Sequence, residues 1–233
     1  YAFFHPALRD DPLIFVEVAL TDAIPAAIGP ILAEGRAALD PAAATTAVFY
    51  SISNCQAGLR GVSFGDFLVK QVVEELRAEL PAVRRFVTLS PAPRFRRWAL
   101  AETERGEAGL LTAPARETVA ALEAGGAPAP APERVAELAA TYYLDATAPG
   151  GGPFDPVARF HLGNGARLER VNPGADPSGN GLRAAWGLMV NYLYDLDAIE
   201  RNHEAFAARG AVAASAGVRR LARARRREAP QNA

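Results

Sequence analysis

The chain has 233 residues, half of them hydrophobic, with a formal net charge of −1 at pH 7. That is enough apolar material for one sizeable core, and the near-neutral balance excludes a general role in coating nucleic acid or an anionic membrane surface. The one cysteine, Cys55, excludes a disulfide framework within the chain and points to a reducing compartment, the cytoplasm.

No apolar run approaches a membrane span and no secretory leader is evident. The first residue is Tyr1 rather than Met, so the chain is expected to be a fragment of a longer protein.

Residues 13–20 form an apolar strand pattern with one acidic residue, Glu17. Thr21-Asp22 then caps an expected helix over residues 24–39, interrupted by Pro25 and Gly29-Pro30. Residues 47–52 are β-branched and aromatic and predict a strand. A turn carrying Gly58, Gly61 and Gly65 follows. A helix is then expected to open at Asp66, as N-cap, and to stop before Pro81.

Strand, glycine-rich turn and helix N-terminus together suit a phosphate. Free backbone N–H groups and the positive helix end meet the anion, and the glycines let the backbone approach it. Arg60 adds a charge-assisted donor. The segment fits neither a Walker A loop nor a dinucleotide fingerprint, and by itself it is equally compatible with an ordinary strand-to-helix turn.

Residues 86–90 predict a second buried strand, closed by Pro91 and Pro93. From 101 to 150 Ala, Glu and Pro dominate, with helical stretches at 116–124 and 132–144 that read as an inserted helical hairpin. Residues 157–162 and 167–171 are apolar-rich runs around Asn164-Gly165, which predicts a β-hairpin. Residues 187–194 fit strand or helix. A helix from Ile199 onward ends in an arginine-rich stretch that reads as solvated.

Three histidines are present. His203 lies on a charged helical face, and His5 precedes Pro6 in what reads as local structure. His161 interrupts an apolar run and is the one well-placed group expected to titrate near neutrality, although a buried histidine is often only a hydrogen-bonded core residue. Ser90 ends the 86–90 strand, where its hydroxyl can face the crevice beside the phosphate turn; a serine before proline is by position alone more often structural. No Cys/His pair has metal-ligand spacing, and Cys55 reads as a small apolar filler.

Within this frame, Arg60-Gly61-Val62-Ser63-Phe64-Gly65 resembles the loop by which the acetyltransferase-like (GNAT) fold holds the pyrophosphate of coenzyme A, with Ser63 in place of the usual first glycine. Seven segments in order resemble the malonyl-CoA decarboxylase family. They are Glu17-Val18-Ala19-Leu20-Thr21, Phe49-Tyr50-Ser51-Ile52-Ser53, Gln56-Ala57-Gly58-Leu59-Arg60-Gly61-Val62, Leu89-Ser90-Pro91-Ala92-Pro93, Pro156-Val157-Ala158-Arg159-Phe160-His161-Leu162, Asn164-Gly165-Ala166 and Gly187-Leu188-Met189-Val190-Asn191-Tyr192.

The resemblance implies an α/β (α+β) GNAT-like acyl-CoA-binding fold, a mixed central sheet flanked by helices, forming one catalytic domain over residues 1–233. The family's N-terminal helical domain would be absent. It implies conversion of malonyl-CoA to acetyl-CoA and CO2 with no metal or organic cofactor, in a full-length protein that forms homo-oligomers.

By motif, the resemblance makes Ser90 and His161 the catalytic pair and Arg60, Gly61, Val62, Ser63, Phe64, Gly65 and Asp66 the coenzyme A segment. Arg94 stands where the family is expected to have glycine, and Asn172-Pro173-Gly174-Ala175-Asp176 replaces an aromatic-containing segment. Two other readings of the same fold are an acyltransferase, for which Glu17 is the strand-borne candidate base, and a non-catalytic acyl-CoA-binding module.

Overall fold

A computed structural model describes residues 1–8, 10–37, 39–59 and 65–228, with the side chains of 59, 65–68 and 225–228 left aside. Chain order is β1 (Ala2–Phe3), β2 (Ile14–Thr21), α1 (Gly29–Leu32), β3 (Thr46–Asn54), α2 (Gly65–Glu79), β4 (Arg85–Thr88), β5 (Ser90–Pro91) and α3 (Phe95–Glu104). It continues with α4 (Ala113–Ala124), α5 (Pro132–Leu144), α6 (Pro156–Gly163), β6 (Arg167–Asn172), α7 (Gly179–Ala185), β7 (Met189–Leu193), α8 (Ile199–Arg209) and α9 (Ala216–Glu228).

Among the described residues the strands join in one mixed seven-stranded sheet. β1, β2 and β3 pair antiparallel, β3 and β4 run parallel, and β7 runs antiparallel to β4, β5 and β6. The parallel β3–β4 pair with α2 as its crossover is the strand–helix–strand unit read from residues 47–90, and helices flank the sheet as that reading implies.

Four expectations change, one of them the single helix from Ile199, which is broken into α8 and α9. Residues 24–39 hold only the four-residue α1, because Pro25 and Gly29-Pro30 deny a longer helix its hydrogen bonds and its backbone rigidity. Residues 95–104, which the periodicity left unassigned, form α3, with Phe95, Trp98, Ala99 and Glu102 buried at helical spacing.

The predicted hairpin around Asn164-Gly165 is instead a helix, a turn and then β6. Asp155 caps α6 by accepting from the N–H groups of Val157 (2.9 Å) and Ala158 (3.0 Å), and Pro156 occupies the first turn. At the other end Gly165, with φ of 77°, closes a Schellman motif: its N–H donates to Leu162 O and that of Ala166 to His161 O, both at 3.0 Å. The Asn-Gly dipeptide is therefore a helix stop. Cys55, finally, is exposed and free, not core filler.

The helices predicted at 116–124 and 132–144 are present as α4 and α5, but α5 is no peripheral appendage. It buries eight residues, including Tyr142 and Tyr143, and packs on α9, α3 and β6. Phe95, Trp98, Tyr142 and Tyr143 form a chain of ring contacts with centroids 4.9–6.3 Å apart. No described helix is long and apolar enough to cross a membrane.

Candidate active site

Ser90 sits at an interruption in the sheet. β4 pairs β7 at Val87–Leu193, β5 pairs it at Ser90–Val190, and the register across the gap is unchanged. Inside the gap side chains replace the missing ladder. The N–H of Tyr192 donates to Thr88 Oγ1 (3.2 Å), and Asn191 Nδ2 donates to Thr88 O (2.9 Å). On the β3 side the N–H of Leu89 still donates to Phe49 O (3.0 Å). Because side chains alternate along a strand, Thr88 and Ser90 share a face, and their hydroxyl oxygens are 2.9 Å apart.

His161 comes from the last turn of α6. Its Nε2 lies 3.2 Å from Ser90 Oγ, 71 positions away in sequence, and its Nδ1 lies 2.8 Å from the hydroxyl of Tyr194. The ring stacks on Tyr192 with centroids 4.6 Å apart at 28°, and meets Phe160 and Tyr194 edge-on. Burial in this aromatic setting pushes the imidazole pKa down to about 3. His161 is thus neutral over the physiological range, which overturns the expectation that it titrates near neutrality.

α6 is itself anchored through Asp155, which is 1 % exposed and also accepts from the Tyr142 hydroxyl at 2.8 Å. Burial raises the Asp155 pKa against the pull of its hydrogen bonds to Ala158, Tyr142 and Val157. One carboxylate therefore ties α5 to the start of the helix that presents His161.

Ser90 and His161 face a cleft of about 370 Å³, walled by Tyr50, Ser51 and Ile52 of β3 and by Val157 and Phe160 of α6. The β2–β3 register steps from Glu17–Ser51 to Val18–Phe49, leaving Tyr50 as a bulge on that wall. Asn54, the last residue of β3, also lines the cleft, so it runs to the strand end from which the chain leads toward α2.

Of the expected coenzyme A segment, Arg60, Gly61, Val62, Ser63 and Phe64 lie outside the described residues. Gly65 and Asp66 belong to the first turn of α2, so the helix is under way before Asp66, which is not its N-cap as expected. Glu17 is exposed and pairs across β2–β3 with the lining residue Ser51, but no carboxylate is among the cleft's described lining residues.

Arg94 precedes α3 with its guanidinium 6.0 Å from the Phe154 ring centre, and Asn172 donates to Asn191 Oδ1 at 2.8 Å. Neither of these two departures lines the cleft among the described residues. No group of three or more His, Cys, Asp or Glu side chains suited to a metal gathers among the described residues. Three contributors escaped the sequence reading: Thr88, Tyr194 and Asp155. Thr88 is signalled by its two-residue spacing from Ser90 in a strand, and Asp155 by the Asp-Pro pair. Nothing local marks Tyr194.

Comparisons with known proteins follow the same line. The family model described as malonyl-CoA decarboxylase C-terminal domain matches residues 1–232. The mitochondrial malonyl-CoA decarboxylase of Anser anser anser is 36 % identical over 231 residues, covering 88 % of this chain and 46 % of that protein. A crystal structure of malonyl-CoA decarboxylase from Rhodopseudomonas palustris is 55 % identical with a TM-score of 0.87, covering 94 % of this chain and 52 % of that one. The chain thus spans about half the length of these relatives. The structure of the GphF GNAT-like decarboxylase in complex with isobutyryl-CoA shares the fold at 20 % identity and a TM-score of 0.50, with 84 % of this chain and 76 % of that one covered.

Proposed function

This chain belongs to the malonyl-CoA decarboxylase family, and from that premise we propose that it removes CO2 from malonyl-CoA to leave acetyl-CoA, with Ser90 and His161 as the working pair. The observation that carries the proposal is the 3.2 Å approach of Ser90 Oγ to His161 Nε2 on a cleft that runs to the end of β3. The coenzyme A pyrophosphate is assigned by motif to Arg60–Asp66, the segment that in sequence leads into α2, a helix whose N-terminal end suits an anion. The thioester then extends along β3 and brings the malonyl group to Ser90.

Breaking the bond between the α-carbon and the carboxylate releases CO2 and leaves the electron pair as a thioester enolate, which takes up one proton to become acetyl. Apolar walls from Ile52, Val157 and Phe160 replace water around the carboxylate, whose localised charge is more dependent on hydration than the dispersed charge of the transition state. Ser90 hydrogen-bonds the carboxylate without the full positive charge that would stabilise the ground state. His161, neutral, orients Ser90 and shares in the final proton transfer. Neither a metal nor an organic cofactor enters these steps. The single free cysteine fits the cytoplasm as the setting.

Malonyl-CoA incubated with the protein should yield acetyl-CoA and CO2 in equal amounts, with no dependence on an added amine. Ser90→Ala and His161→Asn should each lower kcat by about a hundredfold or more, and the double variant should be little worse than either. Release of free coenzyme A together with a malonylated amine, without acetyl-CoA or CO2, would establish the acyltransferase reading, and binding without turnover the non-catalytic one.

A further inference from the structure

We propose that Asn191 is a positioning residue for Ser90: from the face of the sheet away from the cleft, its carboxamide draws the Thr88 carbonyl out of the ladder and so holds Ser90 at its distance from His161. The inference rests on the reading of Ser90 and His161 as the working pair and adds what sets their separation.

Side chains alternate along a strand, so each face of the sheet has its own set of residues. Along residues 86–90 and β7, Val87, Leu89 and Met189 belong to one buried cluster, with Leu193 packed against it, while Phe86, Val190 and Tyr192 belong to another. Thr88 and Ser90 share the face of Phe86 and Tyr192, where His161 stacks on the Tyr192 ring. Asn191 shares the opposite face, which Ile24 helps to cover.

Regular antiparallel pairing shows what the gap lacks. With Val87 opposite Leu193 and Ser90 opposite Val190, Thr88 stands opposite Tyr192. The N–H of Tyr194 donates to Phe86 O at 2.8 Å, so two residues back along β7 the N–H of Tyr192 is due at Thr88 O. It donates instead to Thr88 Oγ1 (3.2 Å), while Thr88 O accepts from Asn191 Nδ2 (2.9 Å). A carboxamide on one face takes the carbonyl, and a hydroxyl from the other face fills the place it leaves.

The donors and acceptors around Asn191 admit one orientation of its side chain. Nδ2 faces Thr88 O and Pro25 O (3.2 Å), carbonyls that only accept, and Oδ1 faces Arg170 Nε (3.2 Å), which only donates, and Asn172 Nδ2 (2.8 Å). Asn191 is 0 % exposed, and its two hydrogens and two lone pairs are all engaged. Arg170 is tied in turn to Ile24 O and Pro25 O at 2.9 and 2.7 Å, so the carboxamide belongs to a satisfied network that holds it still.

Without the carboxamide, Thr88 O is free to take the Tyr192 N–H and the ladder closes. Thr88 and Ser90 then move together, because they lie two residues apart on one strand face, and the 3.2 Å approach of Ser90 Oγ to His161 Nε2 is lost. A displacement of about 1 Å at a reacting group is enough to cost about a hundredfold in rate.

Asn191→Ala should therefore lower kcat for malonyl-CoA about tenfold to a hundredfold, with KM changed less than about threefold. Its crystal structure should show Tyr192 N about 2.9 Å from Thr88 O, and Ser90 Oγ more than about 3.5 Å from His161 Nε2. Asn172→Ala removes a bond to the same carboxamide but leaves Thr88 tied, so it should lower stability while keeping kcat within about twofold and the ladder open.

An Asn191→Ala enzyme with wild-type kcat, or one whose ladder stays open, overturns the proposal. So does an Asn172→Ala enzyme as slow as Asn191→Ala, since general loosening of the network would then account for both. Should Asn191→Ala fail to fold, Asn191→Asp, which keeps the volume and the contacts to Arg170 and Asn172 but loses both donors, takes its place with the same expected results. A wild type that leaves malonyl-CoA intact sinks the decarboxylase reading, while the ladder and the Ser90–His161 distance in the variant structures still judge Asn191.

Discussion

His161 shows how a single residue's chemistry is set by what surrounds it. In the unfolded chain an imidazole titrates near 6.5, whereas in the fold burial lowers it to about 3. As pH falls below 6.5, the unfolded state binds the proton first, so stability is lost progressively down to about 3. At pH 5 this loss amounts to about 2 kcal/mol. Urea unfolding of wild type and His161→Gln at pH 7.5 and 5 should show wild type losing about 2 kcal/mol more than the variant. Equal losses would mean that the folded protein protonates His161 readily. Sequence reading could single out this histidine because it interrupts an apolar run, but its proton affinity depends on Tyr192, Tyr194 and Phe160, the first two of which are distant in the chain.

Among the elements, α6 is the one on which the proposed site depends most and the one most easily misread. Its apolar residues are too few for helical periodicity to stand out, and Asn164-Gly165 serves hairpins and helix ends alike. The decisive signal was Asp155-Pro156, an N-cap followed by proline in the first turn. Replacing Asp155 by Ala removes the acceptor for Val157, Ala158 and Tyr142, and should cost about 2–4 kcal/mol. Asn, which retains a capping oxygen, should cost less. Denaturant unfolding of the two variants checks this, and a cost below about 0.5 kcal/mol for Ala would show that α6 holds its position without the cap. The strands β2, β3 and β6 were legible because their alternation and β-branching are local properties.

For the molecule as a whole, stability resides in the aromatic and aliphatic core more than in the surface ties. Phe95 is fully buried and contacts the rings of Trp98, Tyr142 and Trp186 at 5.4–6.3 Å. Beside it Arg96 makes a two-pronged ion pair with Glu123 at 2.7 and 3.0 Å, joining α3 to α4, but both side chains are about a third exposed. Phe95→Ala should cost about 3–5 kcal/mol and Arg96→Ala under about 1 kcal/mol, measured side by side in urea. Comparable costs would reveal that the α3–α4 clamp, and not the core, limits stability.

Much of this protein was determined by the sequence alone: the strand–helix–strand unit within residues 47–90, the helices read at 116–124 and 132–144, and the ordered motifs that mark its family. Those features rest on neighbours within a few positions, where propensity, caps and glycine geometry act. Only the tertiary structure decided that α5 runs through the core and that Thr88, Ser90, His161 and Tyr194 form one hydrogen-bonded line. That line joins positions up to 106 residues apart, because β4, β5, α6 and β7 must first pack before these hydroxyl and imidazole groups come within hydrogen-bonding reach of one another.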